Sequence, residues 1–256
     1  MRSKNLIPIY AAVIILFSFI SCEKETETFE SDAITDYLSL TVGKYIVYRL
    51  DSTVFTNQGR NEEIHKYQVK YVVESQQLDN EGRPSFRVFR YISDSAGTLP
   101  WAPNGTFFMT PLSDQAEVIE DNMRFIKLHL PLKTNVTWKG NKYLSSDPYA
   151  SLYQFSNDDN MNDWDYDYDQ FDAATTIGGT TVNDVYTITQ IDEALNAPVT
   201  DPRSYGARSF GVEKYARNIG LVYREYILLE YQPNTGGSGG GYKTGFGIKM
   251  WMISHN

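Results

Sequence analysis

The chain has 256 residues and a formal charge of −9. That acidity disfavours nucleic acid and anionic lipid surfaces, both of which need Lys/Arg patches. Its single cysteine excludes a disulfide framework.

The chain opens with Arg2 and Lys4, then an apolar run from Leu6 to Ile20 that ends at Ser21-Cys22. A positive flank, an apolar centre and a small residue at the end make a secretory signal. The run is shorter than the ~20 residues of a transmembrane helix. Residues 1–21 are therefore expected to be removed, and removal of Arg2 and Lys4 takes the charge to −11. Residues 22–36 hold an acidic run, Glu-Lys-Glu-Thr-Glu-Thr-Phe-Glu-Ser-Asp at 23–32, too poor in apolar residues to fold and read as a tether. Residues 37–256 are read as one domain, long enough to bury a core without covalent staples.

The 19 Tyr and 13 Phe favour strands over a helical bundle. Residues 43–55 read as the first strand. Tyr67, Val69, Tyr71 and Val73 alternate with polar residues, a period of two that defines a half-buried strand. Gly82 marks a turn, and Phe86 and Val88 alternate after it. In the run Arg124 to Leu130, the residues Ile126, Leu128 and Leu130 are placed inward, with Lys127 and His129 on the wet side. Val185 to Ile191 is β-branched and alternating. Residues 220–232 and 243–254 form a last hairpin around the glycine-rich loop Asn234 to Gly241. Short helical turns are expected at Ala150 to Phe155 and Gly211 to Arg217, and Asp158 to Gly179 reads as a long excursion. The fold expected is all-β: an antiparallel curved sheet, half-barrel or sandwich, with one or two short helices.

Phe19-Ile20-Ser21-Cys22 resembles the lipobox of bacterial lipoproteins, with Phe19 where the family prefers Leu. The resemblance implies acylation (palmitate or a similar chain) on Cys22. Lys24 and Glu25 resemble the acidic export signal of Bacteroidetes-type surface lipoproteins. Three further stretches are similar to a group of Bacteroidetes-type outer-membrane lipoproteins. They are Gly43 to Tyr48 with Asp51-Ser52, Asn122 to Leu128 leading to Trp138-Lys139-Gly140-Asn141, and Lys214 to Val222. This likeness implies an outer-membrane location, periplasm-facing or at the cell surface, and a mostly-β exported domain. The group has no settled activity to carry over.

The acidic stretch Asp158 to Asp169 offers Asp163, Asp165, Asp167 and Asp169 as oxygen ligands for calcium, which takes six to eight of them. No Gly stands at the sixth position as an EF-hand loop requires. Strand alternation explains the same pattern, with Trp164, Tyr166 and Tyr168 on one face and the acids on the other. Trp101, Trp138, Trp164 and Trp251 would serve sugar stacking if exposed. His65, His129 and His255 lack metal-ligand spacing. Gly-x-Ser-x-Gly is absent. Gly236 to Thr244 lacks a Lys directly after Gly241 and the helix of a phosphate loop. No catalytic residue and no cofactor is assigned. Asp51-Ser52-Thr53 and Asp94-Ser95-Ala96 resemble the Bacteroidetes-type O-glycosylation motif, which points to Ser52 and Ser95. The expected function is a non-catalytic binding or structural module for an apolar ligand or an envelope protein partner. The alternative is a glycan-binding accessory lipoprotein of a polysaccharide-uptake system. The two differ in where the aromatic side chains lie.

Overall fold

The computed structural model describes residues 32–256 apart from 157–159, 235 and 237–238. The signal segment 1–21, Cys22 and most of the tether lie outside the described residues. Twelve strands follow in chain order: β1 Tyr45–Thr56, β2 Asn61–Leu78, β3 Pro84–Asp94, β4 Ala102–Pro111, β5 Gln115–Glu120, β6 Met123–His129, β7 Thr137–Lys139, β8 Asp165–Ile177, β9 Thr180–Leu195, β10 Gly206–Ala216, β11 Gly220–Gln232 and β12 Tyr242–His255. They form one antiparallel sheet in the order β6-β5-β4-β3-β2-β1-β12-β11-β10-β9-β8-β7. Every strand pairs with its neighbour in sequence except β6 and β7, and the first and last strands zip together instead.

Turn chemistry sets these hairpins. Asp121 and Asn122, both at positive φ, join β5 to β6 in two residues, and Gly178 and Gly179 join β8 to β9. Two-residue loops with positive φ match the right-handed twist of paired strands. The free edges β6 and β7 then meet. Ile126 N–H donates to the Gly140 carbonyl at 2.8 Å, and Trp138 Nε1 donates to the Ile126 carbonyl at 2.8 Å. The His129 amide reaches the Tyr168 hydroxyl at 3.0 Å. The sheet is thus a nearly closed barrel, which resolves the choice between half-barrel and sandwich in favour of a single curved sheet.

The interior is dense with tyrosine. Tyr37, Tyr48, Tyr166 and Tyr168 are among the largest fully buried side chains. Their hydroxyls are satisfied, as buried phenols require. Tyr48 donates to the Leu221 carbonyl at 2.8 Å, and Tyr166 to Asn141 Oδ1 at 2.7 Å. A 3-10 turn at Ile34–Tyr37 packs Ile34 and Tyr37 into this core, and Asp36 accepts from Arg217. The folded body therefore includes the last residues of the segment read as tether.

Three expectations are corrected. Gly211 to Arg217 is not helical: its residues 211–216 are the end of β10, held between β9 and β11. Two flanking ladders outweigh local propensity. Ala150 to Phe155 forms turns, and the described residues contain only 3-10 turns as helical structure. Asp158 to Gly179 is no excursion from Asp165 onward, since β8 occupies Asp165–Ile177. The long connection instead precedes it, between β7 and β8.

Candidate ligand-binding cavity

The barrel holds a cavity of about 490 Å³ that is partly open to solvent, within the ~300–1,000 Å³ of small-molecule sites. Its apolar wall comes from Leu50, Val69, Phe125, Ile248 and Met250 on the sheet. The β7–β8 connection supplies Pro148, Tyr149, Leu152 and Tyr153. Tyr149 and Tyr153 pack on Phe246 of β12, with ring centroids 5.1 and 5.3 Å away. Ser156 N–H donates to Glu230 Oε2 at 2.7 Å and fastens the connection to β11. A smaller space of about 60 Å³ shares Tyr71 and Arg224 with this cavity.

A chain of charges runs across the cavity. Glu213 Oε1 accepts from Lys127 Nζ at 2.9 Å and from Arg224 Nε at 2.8 Å, and Glu213 Oε2 accepts from the Tyr215 hydroxyl at 2.8 Å. Arg224 Nη1 reaches Glu120 Oε2 at 3.2 Å. Glu120 Oε1 accepts from Arg90 Nη1 at 2.9 Å. Burial alone would raise the Glu213 carboxyl, but the Lys127 ammonium and Arg224 guanidinium overcome it and hold the group at about 2. Burial lowers Lys127 below its usual value, opposed by the same carboxylate.

β-Bulges aim two of the polar side chains. The β5–β6 register steps from Ala116↔Leu128 to Glu117↔Ile126, which leaves Lys127 as the extra residue. The β9–β10 register steps from Gly211↔Ile191 to Val212↔Thr189 and leaves Gln190 extra. A bulge re-aims a side chain that alternation would send elsewhere. Gly211 makes room for this, because a Cβ there would stand 2.9 Å from Gln190 Oε1 and 3.0 Å from its Cβ. Gln190 is 1% exposed and lines the cavity, and its Nε2 has no hydrogen-bond partner.

The sequence placed Ile126 and Leu128 correctly in the core, each 1% exposed, but Lys127 on the wet side. Lys127 is 5% exposed and faces inward, a correction that the bulge explains. Glu213, Arg224, Glu120, Arg90 and Gln190 were not foreseen. The signal available was a charged residue inside an otherwise strand-like run, which alternation reads as the solvent side.

The other sequence candidates do not converge on the cavity. Asp163 and Asp165 bracket Lys139 Nζ at 2.9 and 3.0 Å. Asp165 and Asp169 are exposed, and Asp167 is half-buried. Among the described residues no three His, Cys, Asp or Glu side chains form a metal-binding group. Trp164, Tyr166 and Tyr168 are buried on the opposite face, as alternation requires. His65 pairs with Glu63 at 3.1 Å, and His129 stacks on Trp138. Ser52 lies half-buried in mid-β1, paired with His65 and Ile248. Ser95 is half-buried in the turn after β3, just before the exposed Ala96. Asp94 shapes that turn, its carboxyl held down at about 2 by the Leu99 N–H first, then by Thr98 and Ser93.

No family model matches the chain, and no curated relative matches it. Among solved structures it is similar to a domain from Vibrio parahaemolyticus described as an outer membrane lipoprotein-sorting protein. The identity is 10%, the TM-score 0.21, and the match covers 84% of this chain and 85% of that one. A likeness this distant does not bear on fold or function.

Proposed function

We propose that this chain is a lipid-anchored outer-membrane protein, non-catalytic, whose barrel holds an apolar or amphipathic small molecule. The observation that carries the reading is the cavity of about 490 Å³ inside the sheet, walled by apolar and aromatic side chains. The anchor rests on the lipobox-like Phe19 to Cys22. Aromatic placement favours this reading over glycan binding. Trp138 and Trp164 are buried, and the exposed aromatics Trp101, Tyr143, Phe171 and Tyr242 are scattered along the sequence. The cavity charges also suit binding better than catalysis. A carboxyl held at about 2 is a poor base near neutral pH, where a useful one would titrate.

Native mass spectrometry of protein taken gently from its own envelope tests the proposal. The expected result is a non-covalent adduct of lipid mass, lost on denaturation. Polypeptide plus covalent anchor alone would count against an enclosed ligand. The same spectrum reads glycosylation, for which Ser95, in a turn, is better placed than Ser52, held in mid-strand between two neighbours. A covalent hexose-series increment that survives denaturation and maps to Ser95 is expected.

A further inference from the structure

We infer that the cavity selects a single-chain amphiphile with a carboxylate head, and that Lys127, Arg224 and Gln190 hold that head. The inference rests on the reading of the barrel as a ligand-binding cavity and adds the chemistry of the ligand.

The first observation is a cluster of cations. Arg90, Lys127 and Arg224 line the cavity with the buried Glu213, the half-buried Glu120 and Asp121, which is 64% exposed in the β5–β6 turn. Asp121 pairs with Arg90 at 3.4 Å, so these six charges balance. Deeper in, Lys127 and Arg224 share the one carboxylate of Glu213. A monovalent carboxylate set against these two cations adds one negative charge. A phosphate monoester, at about −1.5 to −2, adds more, and uncompensated buried charge is costly.

The second observation is a set of unspent donors. Arg224 gives Nε to Glu213 and Nη1 to Glu120, which leaves Nη2 uncommitted. Lys127 gives one hydrogen bond, to Glu213, and otherwise sits over the Phe125 ring with Nζ 4.6 Å from its centroid. Gln190 Nε2 is buried in the cavity wall without an acceptor. Buried donors are normally paired, and one that is not calls for an explanation. A carboxylate accepts through two oxygens and about four lone-pair sites, enough for all three donors. The apolar wall of Phe125, Ile248 and Met250 then receives the tail.

The test uses the full chain in lipid nanodiscs, with empty nanodiscs as the blank. The probe is palmitate carrying carbon-13 at its carboxyl, read by nuclear magnetic resonance. Hexadecanol, with the same tail and no charge, is the competitor. A saturable, protein-dependent carboxyl signal is expected. Its shift should stay constant through the pH range in which bilayer-dissolved palmitate titrates. Gln190→Leu removes the orphan amide, so it should melt no lower than the parent while binding palmitate about tenfold more weakly. Lys127→Met should weaken palmitate at least as much. If it fails to fold, Gln190→Leu alone decides. Equal competition by hexadecanol, with Gln190→Leu binding like the parent, would overturn the carboxylate site and leave the apolar cavity standing. No saturable binding of either probe would overturn both.

Discussion

Glu213 shows how a charge survives inside a barrel. It is 1% exposed, yet it receives Lys127, Arg224 and the Tyr215 hydroxyl. Its carboxyl sits at about 2 in the fold, below its ordinary 4.5. A depressed carboxylate stabilises the fold fully above its unfolded value and loses that contribution as pH falls through the folded one. The window here runs from about pH 4.5 down to about 2, and the contribution is about 3 kcal/mol. Glu213→Gln should therefore lower stability by about that amount at pH 7 in urea unfolding. At pH 3 the gap should shrink to about 1 kcal/mol, since the parent has by then lost most of what the charge supplied. A gap equal at both pH values would mean that the side chain acts through shape rather than charge. Little of this was legible beforehand. Lys127 sits between Ile126 and Leu128 and reads as a solvent-side lysine until the bulge is known. Gln190 is likewise the extra residue of a bulge. A bulge shifts the period of two by one residue, and no local sequence signal announces it.

At the level of elements, legibility followed packing. Strands with one wet face, such as β2 with its Tyr67, Val69, Tyr71 and Val73, declared themselves. β4 did not, because Pro103 and Gly105 argue against a strand. Both fall where the register with β3 slips between Arg90 and Tyr91. The slip leaves Asn104 extra, and its carbonyl accepts Arg90 Nε at 3.1 Å. β7 has three residues, too few for any periodicity. Its end nevertheless decides closure of the barrel through Gly140. The carbonyl of Gly140 takes the Ile126 amide, and a Cβ at this position would stand 2.3 Å from the Tyr166 ring. Tyr166 is itself pinned by Asn141 at 2.7 Å. It cannot yield without breaking that bond or moving the core. Gly140→Ala should therefore cost about 1–3 kcal/mol, the range for overpacking, and loosen the β6–β7 seam. Hydrogen exchange should show the Ile126 amide losing protection well before amides at the β1–β12 pairing. Uniform loss across both would place the damage in the core rather than at the seam.

For the whole molecule, the architecture separates what binds from what attaches. The cations that matter to the cavity point inward, and the net charge left for the outside is strongly acidic. Such a surface is repelled by anionic lipid rather than drawn to it. Among the described residues no helix is long and apolar enough to cross a membrane. Attachment on this reading rests on Cys22, the single thiol of the chain. Each acyl methylene buried contributes ~0.8 kcal/mol, so two or three chains suffice where the body gives no help. Cells producing the parent chain and fed an alkyne-tagged fatty acid should yield a labelled protein that partitions into detergent. Cys22→Ala should lose the label entirely and keep the signal segment uncleaved. A variant still labelled would place the acyl group elsewhere. An unlabelled parent that is still cleaved would mean that the signal is an ordinary secretory one and that the barrel is released rather than anchored.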